Sequence, residues 1–375
     1  MNTAVLKSSL EGLRTASCIV SLPPACYVDP EVTTVEIDHL FRGDWFGVGR
    51  ADQLKEKGDY VALDVAGMSI ILVCDQSGKL QALANTCRHR AMRLLDGTSN
   101  CRGIRCPFHS WAYRLDGSLV AAPPMDEVDG FDKAENGLIH YHAEERLGFV
   151  FVCLYTDAPE LDYFLRNFAD LHAPWLLETV VSTRREVLEV AFNWKAFLEV
   201  FNEYYHLPFV YPDSIGDVYN PPETPDQVAG DFVTQFGATE GTGGLLQDEQ
   251  DMALPLSGRE SAGVRYTWAF PNLTFAAGTD ALWVYEAYPL GPNRCKVVQT
   301  ACFPPETLAF KGADAKVAAY HSRLDAALAE DIPALETQHL GLAHPDARQG
   351  HFQPLLEPNV AGFTCWYADN TIETL

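Results

Sequence analysis

The side chains with the most chemistry to offer lie between Cys87 and His109, in the run CRHRAMRLLDGTSNCRGIRCPFH. Two ligand pairs bracket it, Cys87-x-His89 and Cys106-x-x-His109, with sixteen residues between them. Two thiolates and two imidazoles suit either a tetrahedral zinc or a two-iron, two-sulphide cluster in which the cysteines hold one iron and the histidines the other. Structural zinc sites usually give each half one ligand type. Here each half is mixed, and two such loops can clamp a two-iron rhomb from opposite sides. Gly103, Pro107 and Gly117 mark the turns these loops need. Cys101 lies between the pairs and is spare.

A second set of donors follows in NWKAFLEVFNEYYHLPFVYPDS, residues 193–214. The run predicts a helix on which Glu199, Glu203 and His206, spaced by four and three, share one face, with Pro208 as its end. A carboxylate one turn before a histidine can orient it as a metal ligand, and it can equally be a helix-surface pair.

Other elements must position these groups. Short strands are predicted from Trp45 to Leu115, at Trp45–Gly49, Tyr60–Val65, Ser69–Cys74, Leu80–Ala84, Gly103–Arg105 and Ala112–Leu115, separated by turn signals such as Gln76-Ser77-Gly78. They predict a small antiparallel β domain with the first donor set at its loop tips. The apolar run Leu147–Tyr155 predicts the central strand of a second sheet. Glu186–Phe192, Tyr266–Phe270, Leu273–Ala276, Ala281–Pro289 and Lys296–Phe303 predict further strands, and Thr307–Leu342 a long helical region. The fold class is thus α+β: an all-β domain over residues 40–145, an antiparallel-sheet-and-helix domain over 146–375, and an N-terminal segment, 1–39, packed on the latter.

The chain has 375 residues, 51 acidic against 27 basic, for a net charge of −24, so nucleic acid and anionic membrane are excluded as partners. Six arginines between Cys87 and Arg114 oppose one acid, Asp96. This basic collar either steers an acidic redox partner or pairs with carboxylates of the same chain or a neighbouring subunit. Ten scattered cysteines, the absence of a clean signal peptide and the short apolar runs predict a cytoplasmic location.

The two donor sets and their flanks resemble the Rieske non-haem iron oxygenases, closest in motif to the branch acting on choline, glycine betaine or carnitine. Asn85-Thr86, Pro107-Phe108-His109-Ser110-Trp111 and Leu115-Asp116-Gly117 match the cluster loops of that family. Trp194-Lys195, Glu199-Val200 and Glu203-Tyr204-Tyr205-His206 match its catalytic helix, with Val200 in place of the usual Asn. Glu330-Asp331 and Glu336 match its late helix, Gln338 falling one residue early. The resemblance implies a helix-grip-like catalytic domain and a [2Fe–2S] Rieske cluster on Cys87, His89, Cys106 and His109. It further implies mononuclear Fe(II) on His206 and Asp331, and Glu203 as the acid joining cluster and iron. Where the family has its second histidine, this chain has Tyr211. Tyr211 is a ligand itself, or water, Asp213 or another group completes the site, or the centre is weak.

What the resemblance implies about activity is a terminal oxygenase. An NAD(P)H-dependent reductase, with or without a ferredoxin, supplies electrons, and dioxygen hydroxylates an N-methyl or quaternary ammonium compound or an aromatic ring. A homotrimer, in which one subunit's cluster feeds its neighbour's iron, is implied as well. Tyr204, Tyr205, Phe209, Trp268 and Trp283 are either a cage for a trimethylammonium group or core. The rival is an electron-transfer or structural subunit with an intact cluster and a degenerate iron site.

Overall fold

The architecture is that of a computed structural model, which describes residues 3–15, 19–155, 157–211, 220, 222–238 and 254–374. Among the described residues ten strands precede residue 155: β1 (Trp45–Arg50), β2 (Asp59–Val65), β3 (Met68–Cys74), β4 (Leu80–Ala84), β5 (Thr98–Asn100), β6 (Ile104–Arg105), β7 (Ala112–Tyr113), β8 (Leu119–Ala121), β9 (His140–Arg146) and β10 (Phe149–Cys153). Seven form one antiparallel sheet in the order β1-β10-β9-β4-β3-β2-β5, and β6-β7-β8 form a small sheet of their own. Successive side chains of a strand face opposite ways. On β3, Ile71 and Val73 therefore enter a core with Cys87, Cys106, Trp111 and Tyr113, while Ile70 and Leu72 enter the main core.

Leu147–Tyr155 does not begin a second sheet. Its strand, β10, pairs with β1 and β9 inside the first. The run is apolar on both faces because Val150 and Val152 pack into the main core and Phe149, Phe151 and Cys153 into another, with Phe275 and Leu273. Burial on two sides, rather than a central place in the other sheet, accounts for the sequence.

The second sheet comprises β11 (Val181–Val190), β12 (Phe232–Ala238), β13 (Gly263–Ala269), β14 (Leu273–Ala277), β15 (Leu282–Gly291) and β16 (Arg294–Phe303). Its antiparallel order is β11-β16-β15-β14-β13-β12. The helices are α1 (Thr3–Thr15), α2 (Ala25–Val28), α3 (Pro30–Glu36), α4 (Leu161–Leu165), α5 (Phe168–His172), α6 (Trp194–Phe201), α7 (Leu207–Val210), α8 (Pro305–Leu308), α9 (Ala313–Leu342) and α10 (Pro358–Thr371). One face of the sheet carries α6, α9 and α10, seen in Phe197 against Tyr285 (5.1 Å), Trp283 against Tyr320 (6.1 Å) and Trp268 stacked on Phe363 (4.0 Å). The other face packs on α4, α5, β1 and β10. Among the described residues no helix is long and apolar enough to cross a membrane.

The N-terminal helices are tied to this second unit by a buried polar knot. Glu36 of α3 takes Lys195 Nζ at 2.6 Å, the Tyr367 hydroxyl at 2.6 Å and Trp194 Nε1 at 2.9 Å, with both charged side chains fully buried. Lys195 Nζ also lies 5.0–5.5 Å from the ring centroids of Trp194, Tyr27 and Tyr367.

Candidate active site

The four donors of the first set sit on two copies of one turn. Cys87 N–H donates to Met92 O (2.8 Å) and Ala91 N–H to Cys87 O (2.9 Å). Cys106 N–H donates to Trp111 O (2.8 Å) and Ser110 N–H to Cys106 O (3.1 Å). The fifth residue of each turn is left-handed, Ala91 at φ 56° and Ser110 at φ 62°. The cysteines are buried, His89 is exposed and His109 half-buried, with the imidazole centroids 4.7 Å apart. His89 is stacked on Trp111 at 5.0 Å.

Thiolates inside and imidazoles outside fit a cluster with one sulphur-held iron in the core and one nitrogen-held iron at the tip. Among the described residues no three His, Cys, Asp or Glu side chains group as a single metal shell. A two-iron cluster divides its four donors two and two, so none is required there. Asn85, buried beneath the first turn, accepts from Leu94 and Leu95 N–H (3.1 and 2.9 Å) and donates to Leu95 O (2.7 Å) and Ser69 Oγ (3.1 Å). Cys101 is a free, half-buried cysteine whose backbone N–H donates to Gly58 O at 2.9 Å.

The second donor set does not lie on one helix. α6 ends at Phe201, where the Asn202 amide turns back to Leu198 O (2.7 Å) and across to Thr274 Oγ1 (2.9 Å). Tyr204–His206 form bends, and Pro208 opens α7 instead of closing a helix, as suits a residue with no N–H to give. Glu203 and His206 meet nonetheless. One Glu203 oxygen accepts from His206 Nδ1, the other from the backbone N–H groups of Tyr205 and His206. That leaves His206 Nε2 for a metal. Glu199 points elsewhere, to the Tyr27 hydroxyl at 2.6 Å.

On α9, Asp331 meets the Tyr211 hydroxyl, which donates to its Oδ1, and the Tyr211 ring lies 5.4 Å from that of His206. Glu203, His206, Tyr211 and Asp331 all line one cavity. Burial pushes the Asp331 carboxyl up to about 6, with the Tyr211 hydroxyl and His206 acting the other way. Burial and the Asp331 charge push the Tyr211 phenol far above its usual range, so without a metal it is a neutral donor. Asp213 lies outside the described residues.

Of the five aromatics expected as cage or core, Tyr204 and Trp283 line the cavity. Trp268 is core, its indole N–H on Pro271 O at 2.8 Å, and Tyr205 and Phe209 are exposed. Phe201, Tyr266, Tyr285 and Arg323 line the cavity unannounced. Alternation does place Tyr266 on the face of Trp268, but only the helix packing decides which of the two is covered.

Residues 44–132 match the Rieske [2Fe–2S] domain, and residues 177–373, more than half the chain, match the ring hydroxylating alpha subunit (catalytic domain). The glycine betaine monooxygenase oxygenase subunit of Chromohalobacter salexigens is 28% identical over 389 residues, covering 95% of this chain and 86% of its own. The carnitine monooxygenase oxygenase subunit of Acinetobacter baumannii is 30% identical over 195 residues, 51% of this chain and 53% of its own. In fold, the quaternary ammonium Rieske monooxygenase CntA in complex with L-carnitine has a TM-score of 0.81 at 21% identity, covering 96% and 97% of the two chains. Naphthalene 1,2-dioxygenase from Rhodococcus sp. has a TM-score of 0.82 at 16%, covering 99% of each. A cluster-type domain joined to this catalytic domain places the chain in the ring hydroxylating alpha subunit family, as the terminal oxygenase of a Rieske system that uses a [2Fe–2S] cluster and mononuclear iron.

Proposed function

We propose that the protein hydroxylates an N-methyl group of a quaternary ammonium compound, leading to demethylation. Cys87, His89, Cys106 and His109 hold the cluster, His206 and Asp331 hold the iron, and Tyr211 stands at the third protein position. When bound, the cluster supplies electrons singly and the iron supplies dioxygen activation for insertion into a C–H bond. The observation that carries the reading is the meeting of the Glu203–His206 pair and the Tyr211–Asp331 pair in one aromatic-walled cavity.

Glu203 fixes the imidazole tautomer and leaves Nε2 free for metal. Tyr211 holds Asp331 by one oxygen and leaves the other for metal. Phe201, Tyr204, Tyr266, Trp283 and Tyr285 line the cavity, an aromatic wall that suits a methylated ammonium and keeps water from it. Glu203 also borders a second, outer cavity with Glu199 and Glu357. We assign that cavity to the neighbouring subunit's cluster in a homotrimer, with an NAD(P)H-dependent reductase as donor and the cytoplasm as the setting. Both relatives' names, glycine betaine and carnitine monooxygenase oxygenase subunits, favour an ammonium over an aromatic ring.

Reconstitution with Fe(II) and an iron count test the site: about three per chain are expected, two from the cluster and one from the cavity. About two, with no substrate-dependent oxygen uptake, would sink the reading. Tyr211→His is expected to lower turnover with cluster content unchanged, whereas a gain would mark Tyr211 as a decayed ligand.

A further inference from the structure

The cavity beside His206 carries a positive charge that a site for a bare cation has no use for. Arg323, Ala327 and Asp331 follow at intervals of four along α9 and line the same wall. Two turns, about 12 Å of helix rise, separate the backbone positions of Arg323 and Asp331, so the two side chains join the cavity wall at different heights along α9.

Arg323 is half-buried and makes no ion pair among the described residues. Asp325, its near neighbour, is taken by Arg184 at 2.7 Å. Asp280 is buried and close enough to feel the Arg323 charge, yet neither of its oxygens takes a hydrogen bond. Among the described residues the guanidinium thus offers fork-like donors that no carboxylate occupies, in a geometry suited to a carboxylate. A ligand carrying only a cation would meet the aromatic faces and also a like charge. One with an acid at its other end satisfies both walls.

We propose that Arg323 binds an acidic group of the substrate, so that the site selects a molecule with a methylated ammonium at one end and a carboxylate at the other over the ammonium alone. The assignment rests on reading this cavity as the oxygenase site. It is tested by anaerobic isothermal titration of the holoenzyme, loaded with cluster and iron, using glycine betaine and γ-butyrobetaine as the acids and choline as the acid-free probe.

At least one of the acids should bind about tenfold or more tightly than choline, the scale of one charge-assisted pair. Arg323→Gln should abolish that preference without weakening choline binding, which the lost like charge leaves equal or tighter, and Arg323→Lys should keep part of it. Equal wild-type affinities, or a loss in Arg323→Gln shared by choline, would overturn the assignment while leaving the ammonium reading intact. If no ammonium compound binds but benzoate does, with a loss in Arg323→Gln, the ammonium reading falls and the acid-binding role stands. Binding of none of these probes, or benzoate binding indifferent to Arg323, would overturn both.

Discussion

Tyr113 shows how far a single hydroxyl can reach. Its oxygen accepts the Arg88 N–H at 3.1 Å, which leaves its own proton for Cys87 Sγ at 3.3 Å. A donor on a ligand sulphur favours the reduced, more negative cluster and raises its potential. Tyr113→Phe is therefore expected to lower the cluster potential by roughly 50 mV, about 1 kcal/mol for one electron. Spectroelectrochemistry checks this, and an unmoved potential with an intact visible spectrum would reduce the contact to packing. The four proposed cluster donors were legible because they sit on local turns, whose spacing is written along the chain. The partnership of Tyr113 with Cys87, 26 residues apart, was not, because strand register makes it.

Among the elements, α3 and α6 depend on one another through Glu36 and Lys195. Removing one partner of a buried ion pair leaves the other charge unsatisfied, at a cost of about 3–5 kcal/mol. Glu36→Gln should therefore lower unfolding stability by roughly 3 kcal/mol, while Asp369→Asn, at the half-exposed Arg14 pair, should cost less than about 1 kcal/mol. Denaturant titration compares the two.

His172 ties α5 to β13, with Nδ1 on Phe168 O (2.6 Å) and Nε2 on Thr267 Oγ1 (2.7 Å). Burial pushes its pKa down to about 3, below the unfolded value, so the unfolded chain binds the extra proton first. The resulting stability is present in full above about pH 6.5 and falls as pH drops toward 3, with about 2 kcal/mol gone by pH 5. Unfolding at pH 7 and 5 should show that loss in the wild type and its absence in His172→Gln, relative to all other titrating groups. Most strands and α9 were visible from alternation and periodicity. The break between α6 and α7 was not, because Asn202 ends the helix on Thr274, a residue of the sheet.

For the whole molecule, the arginine collar divides. Arg93 is held by Asp64 (2.7 Å) and Asp96 (2.5 Å), and Arg90 lies over the exposed Phe108 ring at 5.7 Å. Arg88, Arg102 and Arg105 are exposed with no ion pair among the described residues. On a chain of net charge −24 these three are free to meet an acidic donor protein near the His89–His109 tip. Arg88→Glu with Arg105→Glu should slow cluster reduction by the reductase about tenfold at low salt, an effect shrinking toward 0.5 M salt as charges are screened, roughly one Debye length of 10 Å already applying at 0.1 M. Stopped-flow bleaching of the cluster measures it, and a rate indifferent to both charge and salt would remove the collar from the docking surface.

The chain's own order determined which atoms could bind metal and the repeating turns and strands that carry them, since short-range spacing and alternation are properties of consecutive residues. Tertiary structure decided the rest: that Leu147–Tyr155 joins the first sheet, that Tyr211 meets Asp331 120 residues away, and that Tyr266 and Arg323 face the cavity while Trp268 is covered. Such contacts join residues distant along the chain, and which side of a helix or strand becomes a cavity wall depends on what packs against it.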